Sequence, residues 1–199
     1  MIKSITKFGN PVLREKGAEV KAVTPEVQQF CQDLLDTMRM SRGVGLAAPQ
    51  IGSAIRVFAV DIRGARFSSS VEFIGKAPTG LKNVSAGKRL DGDAVNLLMP
   101  MILINPQVEL SGDVYSAAEG CLSGTPGEYL KVPRNRVAKV SALDKNGEPV
   151  EFICSNFLAR VIQHENDHLN GILFTDRVVK QAVTKDKPAQ AKPAPIEIA

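Results

Sequence analysis

The chain has 199 residues, 44% hydrophobic and 23% charged, long enough to bury the core of one full domain. Its net charge of +4 and pI near 9.0 are modest, so a solvated basic surface accounts for them and no DNA partner is implied. No apolar run reaches membrane-spanning length and residues 1–10 lack a signal-peptide core. Three cysteines, an odd number, argue against a disulfide framework and for the reducing cytoplasm.

In chain order, Thr24-Pro25-Glu26 supplies an N-cap, a first-turn proline and an acidic residue for a helix running to about Met40. Residues 43–52 (GVGLAAPQIG) hold three glycines, which predict a tight turn and close backbone approach. Gln50 is the only polar side chain there and is able to donate to an oxyanion, although a plain Gly/Ala-rich turn explains the stretch equally well. Strands are predicted at Arg56–Asp61, Ile102–Leu110, Arg136–Leu143 and Val150–Ile153, the last two joined by the hairpin signal Asp144-Lys145-Asn146-Gly147-Glu148. Residues 64–98, rich in Gly, Ser, Lys and Asn, are expected as a long inserted loop: a flap, a partner surface or a disordered insert. A helix is predicted from about 156 to 169. Phe157, Leu158, Val161 and Ile162 recur at helical spacing, Ser155 or Asn156 can cap the start, and Asn170-Gly171 stops it. Residues 180–199, with their Pro, Lys and Ala, read as a disordered tail. Strands grouped between two helices imply an α+β fold, with antiparallel sheets packed around the C-terminal helix and a second helix near the N-terminus. Residues 1–179 are expected to form a single catalytic domain.

The only two histidines both fall in His164-Glu165-Asn166-Asp167-His168. At i and i+4 they stand one helical turn apart on one face, within reach of a single metal ion, and Glu165 lies beside them as a base for metal-bound water. The bland alternative is a solvated surface His/Glu pair, but the motif lies next to the apolar stripe rather than opposite it. Two histidines leave a catalytic metal short of a ligand. A third histidine of the metzincin kind is excluded by Phe174, and the only downstream glutamate, Glu197, lies in the tail. Upstream, Cys121 in Glu119-Gly120-Cys121-Leu122-Ser123 offers a thiolate suited to borderline divalent ions, at the end of an extended stretch. Cys121 is therefore the third candidate ligand. The alternative is a small buried residue, which is how Cys31 and Cys154 read.

Residues 43–50 (GVGLAAPQ), 119–123 (EGCLS) and 163–171 (QHENDHLNG) together resemble, in order and content, the three signature motifs of the peptide deformylases. The resemblance covers roughly residues 1–178. It implies removal of the formyl group from the N-terminal formylmethionine of new polypeptides, hence a role in protein biosynthesis. It implies Cys121, His164 and His168 as metal ligands, with ferrous iron typical and Zn2+, Ni2+ or Co2+ as alternatives. Glu165 becomes the general base and acid while metal-bound hydroxide attacks the formyl carbon. By the same resemblance Gln50 and the Leu122 N–H hold the oxyanion, Gly45 meets the substrate main chain, and Val44, Phe157 and Val161 line the methionine pocket. Glu119, Arg134 and Asp167 either orient the ligands or form a plain ion pair. Two features depart from the family pattern: residues 124–128 are one residue longer than usual, and 64–98 exceeds the usual connection. The family's work at the ribosome exit makes the basic tail a candidate contact with ribosomal RNA.

Other functions stay in view. A different metallohydrolase, such as a metallopeptidase, would keep its metal without Cys121. A peptidase using Cys121 as nucleophile needs a base, yet both histidines belong to the metal motif. A binding protein without turnover is the third, against which Gln50, Cys121, His164, Glu165 and His168 are all present.

Overall fold

Thr24 caps the first helix as expected: its side-chain oxygen accepts from the Val27 N–H at 3.4 Å, and Pro25 opens the first turn. This helix, α1 (Pro25–Met40), buries Cys31, Leu34, Leu35 and Met38 along one stripe. The computed structural model describes residues 1–74, 86–125 and 127–178. The tail from 180 to 199, with its suggested ribosome contact, lies outside the described residues.

Seven strands follow among the described residues: β1 (Gly45–Ala47), β2 (Val57–Val60), β3 (Ser69–Phe73), β4 (Arg89–Asp91), β5 (Met101–Glu119), β6 (Leu130–Leu143) and β7 (Pro149–Ser155). Every neighbouring pair is antiparallel, and the strands hydrogen-bond in the order β1-β2-β5-β6-β7-β3-β4. The second helix, α2 (Asn156–Leu169), packs against this sheet. The α+β arrangement expected from the sequence, antiparallel strands around a C-terminal helix with a helix near the N-terminus, is the one the chain adopts.

Strand alternation divides the interior in two. Phe58 and Val60 of β2, with Met101 and Leu103 of β5, point into a core shared with Leu158 and Ile162 of α2. Val57 and Ala59, with Ile102 and Ile104, point to the other face and pack with Leu34, Leu35 and Met38 of α1. All four residues of β2 are buried because helices cover it on both sides. The continuous apolar run of β2 and its neighbours thus sets the depth at which α2 is held.

Three expectations need correcting. The strand expected at Ile102–Leu110 runs on to Glu119, and the one expected at Arg136–Leu143 begins at Leu130. Register shifts at Ile104/Gln107 and Ser111/Val114 let the 19-residue β5 bend while the two extensions pair with each other. Residues 64–98 are not one long loop: β3 pairs with β7, β4 pairs with β3, and a 3-10 helix spans Gly92–Leu98. Val71, Phe73, Leu90, Val95 and Leu98 are buried there, short apolar positions hidden among polar neighbours. Residues 75–85 of that segment lie outside the described residues. Finally, Ser155 stands at the N-cap of α2 as expected, but its side chain makes no cap bond. The Leu158 N–H donates instead to the Ser69 hydroxyl at 3.1 Å, so the capping oxygen comes from β3.

Candidate active site

The inward face of α2 carries His164, Glu165 and His168, all buried. Cys121 sits just past the end of β5, where Gly120 passes so close beneath the Tyr129 ring that a Cβ there would lie 3.0 Å from it. Strand end and helix converge. The Cys121 Sγ lies 3.3 Å from His168 Nε2, and the ligand atoms of Cys121, His164 and His168 all fall within 4.8 Å of one another. The three residues expected as ligands are therefore brought together, close enough to hold one metal ion.

The donor set suits a cation. His164 Nδ1 is 3.0 Å from Glu119 Oε2, which leaves Nε2 for an ion. Burial works against a charge on His164, but hydrogen bonds to Cys121 and Glu119 prevail and lift it to about 10. The Glu119 carboxylate and the Cys121 sulfur beside this ring make the place favourable for a cation. His168 is held well below its usual range by burial and by the nearby charges of His164 and Arg134, so its ring keeps a lone pair to donate.

Behind the ligands lies a network of buried charges. Burial pushes Glu119 upward, yet hydrogen bonds from His164 and Arg134 win and set it at about 2. Arg134 forks onto Glu119 with Nε and Nη2, both at 3.0 Å, and its Nη1 reaches Asp167. Glu119, Arg134 and Asp167 thus form one chain of contacts that ends on a candidate ligand. Two arginines that sequence reasoning missed complete it: Arg160 donates to Glu119 at 2.6 Å and Arg177 to Asp167 at 2.6 and 2.9 Å. A signal for the first was available, because an arginine within the apolar run 157–162, four residues before His164, needs a partner when that face is buried.

Gln50 occupies a short 3-10 helix after β1. Its Oε1 accepts from the Ala47 N–H at 2.7 Å, which turns its NH2 toward Cys121 Sγ (3.5 Å) and Ser123 Oγ (3.3 Å). The Leu122 carbonyl accepts from Lys7 Nζ at 2.8 Å, and the Leu122 N–H makes no bond among the described residues. Gly45 packs directly on Glu165, where a Cβ would overlap Oε1. Burial raises Glu165 to about 7, and its Oε2 has no partner among the described residues. Gly45, Gln50, Leu122, Cys121, His164 and Glu165 all border a cleft of about 830 Å³. Val44, Phe157 and Val161, expected around a methionine, border it too, with Val44 partly exposed and Val161 buried.

An antiparallel sheet closed by a helix bearing His-Glu-x-x-His, with a strand-end cysteine beside it, has the architecture of a metal-dependent hydrolase. Comparison narrows the class. The family model for polypeptide deformylase matches residues 2–184. The peptide deformylase of Opitutus terrae is 37% identical over 193 residues, covering 94% of this chain and 92% of that protein. That of Desulforudis audaxviator is 38% identical over 174 residues, covering 87% and 91%. Among solved structures, a peptide deformylase from Synechococcus elongatus in complex with actinonin superposes with a TM-score of 0.70 at 34% identity, covering 90% of this chain and 80% of that one. The enzyme from Thermotoga maritima gives 0.70 at 30% identity, covering 90% and 99%. This chain belongs to the polypeptide deformylase family, whose members remove the formyl group from nascent peptides.

Proposed function

We propose that the chain deformylates the N-terminal formylmethionine of new polypeptides in the cytoplasm, with residues 1–179 acting as one catalytic unit and Cys121, His164 and His168 holding one divalent ion. The observation that carries this reading is the convergence of those three donors within 4.8 Å, beside a buried glutamate and an oriented amide. One thiolate and two imidazoles suit Fe2+, with Zn2+, Ni2+ or Co2+ able to take its place. Such an ion supplies Lewis acidity to a water molecule and to the formyl oxygen.

The remaining steps belong to the protein. Glu165, raised to about 7 by burial, accepts the proton released as water adds to the formyl carbon and returns it to the leaving amine. The NH2 of Gln50 and the N–H of Leu122 donate to the formyl oxygen as charge builds there, each worth about 3 kcal/mol in comparable sites. Gly45 presents its main chain to the substrate backbone, and Val44, Phe157 and Val161 take up the methionine side chain. Glu119, held ionised by Arg134 and Arg160, fixes the His164 ring.

The ligand set is tested by prolonged chelation and by Cys121→Ala, following formate release and metal content. Chelation should abolish activity until metal is restored, and Cys121→Ala should purify without its ion. Activity that survives chelation, or a Cys121→Ala protein that keeps its metal, would remove the cysteine-and-two-histidine site from consideration. Ribosome contact rests on the basic tail, and co-sedimentation of a chain ending at residue 179 tests it: salt-sensitive binding should weaken.

A further inference from the structure

The opening of the 64–98 segment carries a feature that the reaction does not use. Phe67 is 65% exposed, yet its ring lies on that of Phe157, with centroids 4.7 Å apart and planes 33° apart. Both rings border the same cleft. The backbone next to Phe67 is tied to α2: the Phe157 N–H donates to the Ser68 carbonyl at 3.3 Å, and the Leu158 N–H donates to the Ser69 hydroxyl at 3.1 Å. Beyond it, β3 is locked to β7, with the Ser70 and Ser155 hydroxyls 2.7 Å apart. The orientation of Phe67 is therefore built from the same bonds that cap the helix. On β5, Ala117 and Ala118 also border the cleft, and side chains as small as theirs add little apolar bulk there. A large exposed ring at the mouth of a cleft is apolar surface that a bound ligand would take out of water.

We propose that Phe67 is a specificity-determining residue. Its ring forms the outer wall of the pocket for the first side chain of the formylated peptide, closing over an unbranched apolar chain that lies against Phe157 and Val161. The inference rests on the reading of Phe157 and Val161 as that pocket. A thioether suits such a site, because sulfur makes favourable contacts with aromatic rings.

The test compares formyl-Met, formyl-norleucine and formyl-Ala peptides on the metal-loaded full chain, Phe67→Ala and Phe67→Leu. With Phe67→Ala, KM for formyl-Met should rise roughly tenfold, the scale of a lost apolar contact in a specificity pocket. Its kcat should stay within about twofold, and the formyl-Met over formyl-Ala preference should fall by the same factor as KM rises. Phe67→Leu should restore most of both, and formyl-norleucine should lose less than formyl-Met on the change to Ala. Melting temperature and metal content should stay level, since the ring is mostly in water. A parent that prefers formyl-Met while Phe67→Ala keeps both KM and preference would overturn the role of Phe67 alone. A parent that turns over both peptides yet prefers neither would overturn the pocket reading beneath it.

Discussion

Gly45 and Glu165 share a space with no room for a Cβ, and that contact fixes where the buried carboxylate stands. Glu165 gains little from hydrogen bonding, since its Oε2 is unpartnered among the described residues. Packing against β1 sets its position, and burial, then the charges around it, set its proton affinity. With Glu165 in its proposed acid–base role, Gly45→Ala should therefore displace the carboxylate and lower kcat/KM roughly 10–100-fold with the metal retained, because small misplacements of such a group are expensive. Unchanged kinetics in a metal-loaded Gly45→Ala would show that Glu165 tolerates the shift. At this scale much of the candidate site was legible: His164, Glu165 and His168 stand out by spacing, and Cys121 as a candidate for the missing ligand. Arg160 and Arg177 escaped because their meaning lies in partners 41 and 10 residues away, at Glu119 and Asp167. The apolar run around Arg160 signals that it needs a partner, but nothing local says which residue that partner is.

Among the elements, α2 is the one on which everything else is registered. Its apolar positions could be read from sequence because four residues at helical spacing suffice to define a buried face. Its start at residue 156 was legible too, but the capping hydroxyl was not, since it comes from Ser69, 89 residues before Leu158. Ser69→Ala should cost about 1 kcal/mol, seen as a fall of roughly 2–4 °C in melting temperature for a chain of this size. A melting temperature that does not move would mean that the Ser69 hydroxyl adds nothing to the helix start. The strands divide in the same way. β2 and β7 were visible as β-branched and aromatic runs, whereas β3 and β4 are short and sit among Gly, Ser and Lys. They become strands through pairing with β7 and each other, a tertiary effect that outweighs their weak local preference.

Over the whole molecule, the buried β2 and the bent β5 bring together parts that are far apart in sequence. The Gly-rich stretch of β1 and its following 3-10 helix, the cysteine after β5 and the histidines of α2 meet at one cleft because the sheet order places β1, β2, β5 and β6 side by side beneath α2. The antiparallel α+β class followed from the order of the elements, but the single seven-strand network depended on long-range register that no sequence window contains. No helix among the described residues is long and apolar enough to cross a membrane. The most direct test of the account is deformylation of a short formyl-methionyl peptide by anaerobically purified protein, alongside Glu165→Ala, with metal measured in both. The parent should release formate, and Glu165→Ala should lose about a hundredfold or more in kcat with its metal content intact. A fully metallated parent without activity, or a metal-loaded Glu165→Ala as fast as the parent, would contradict it.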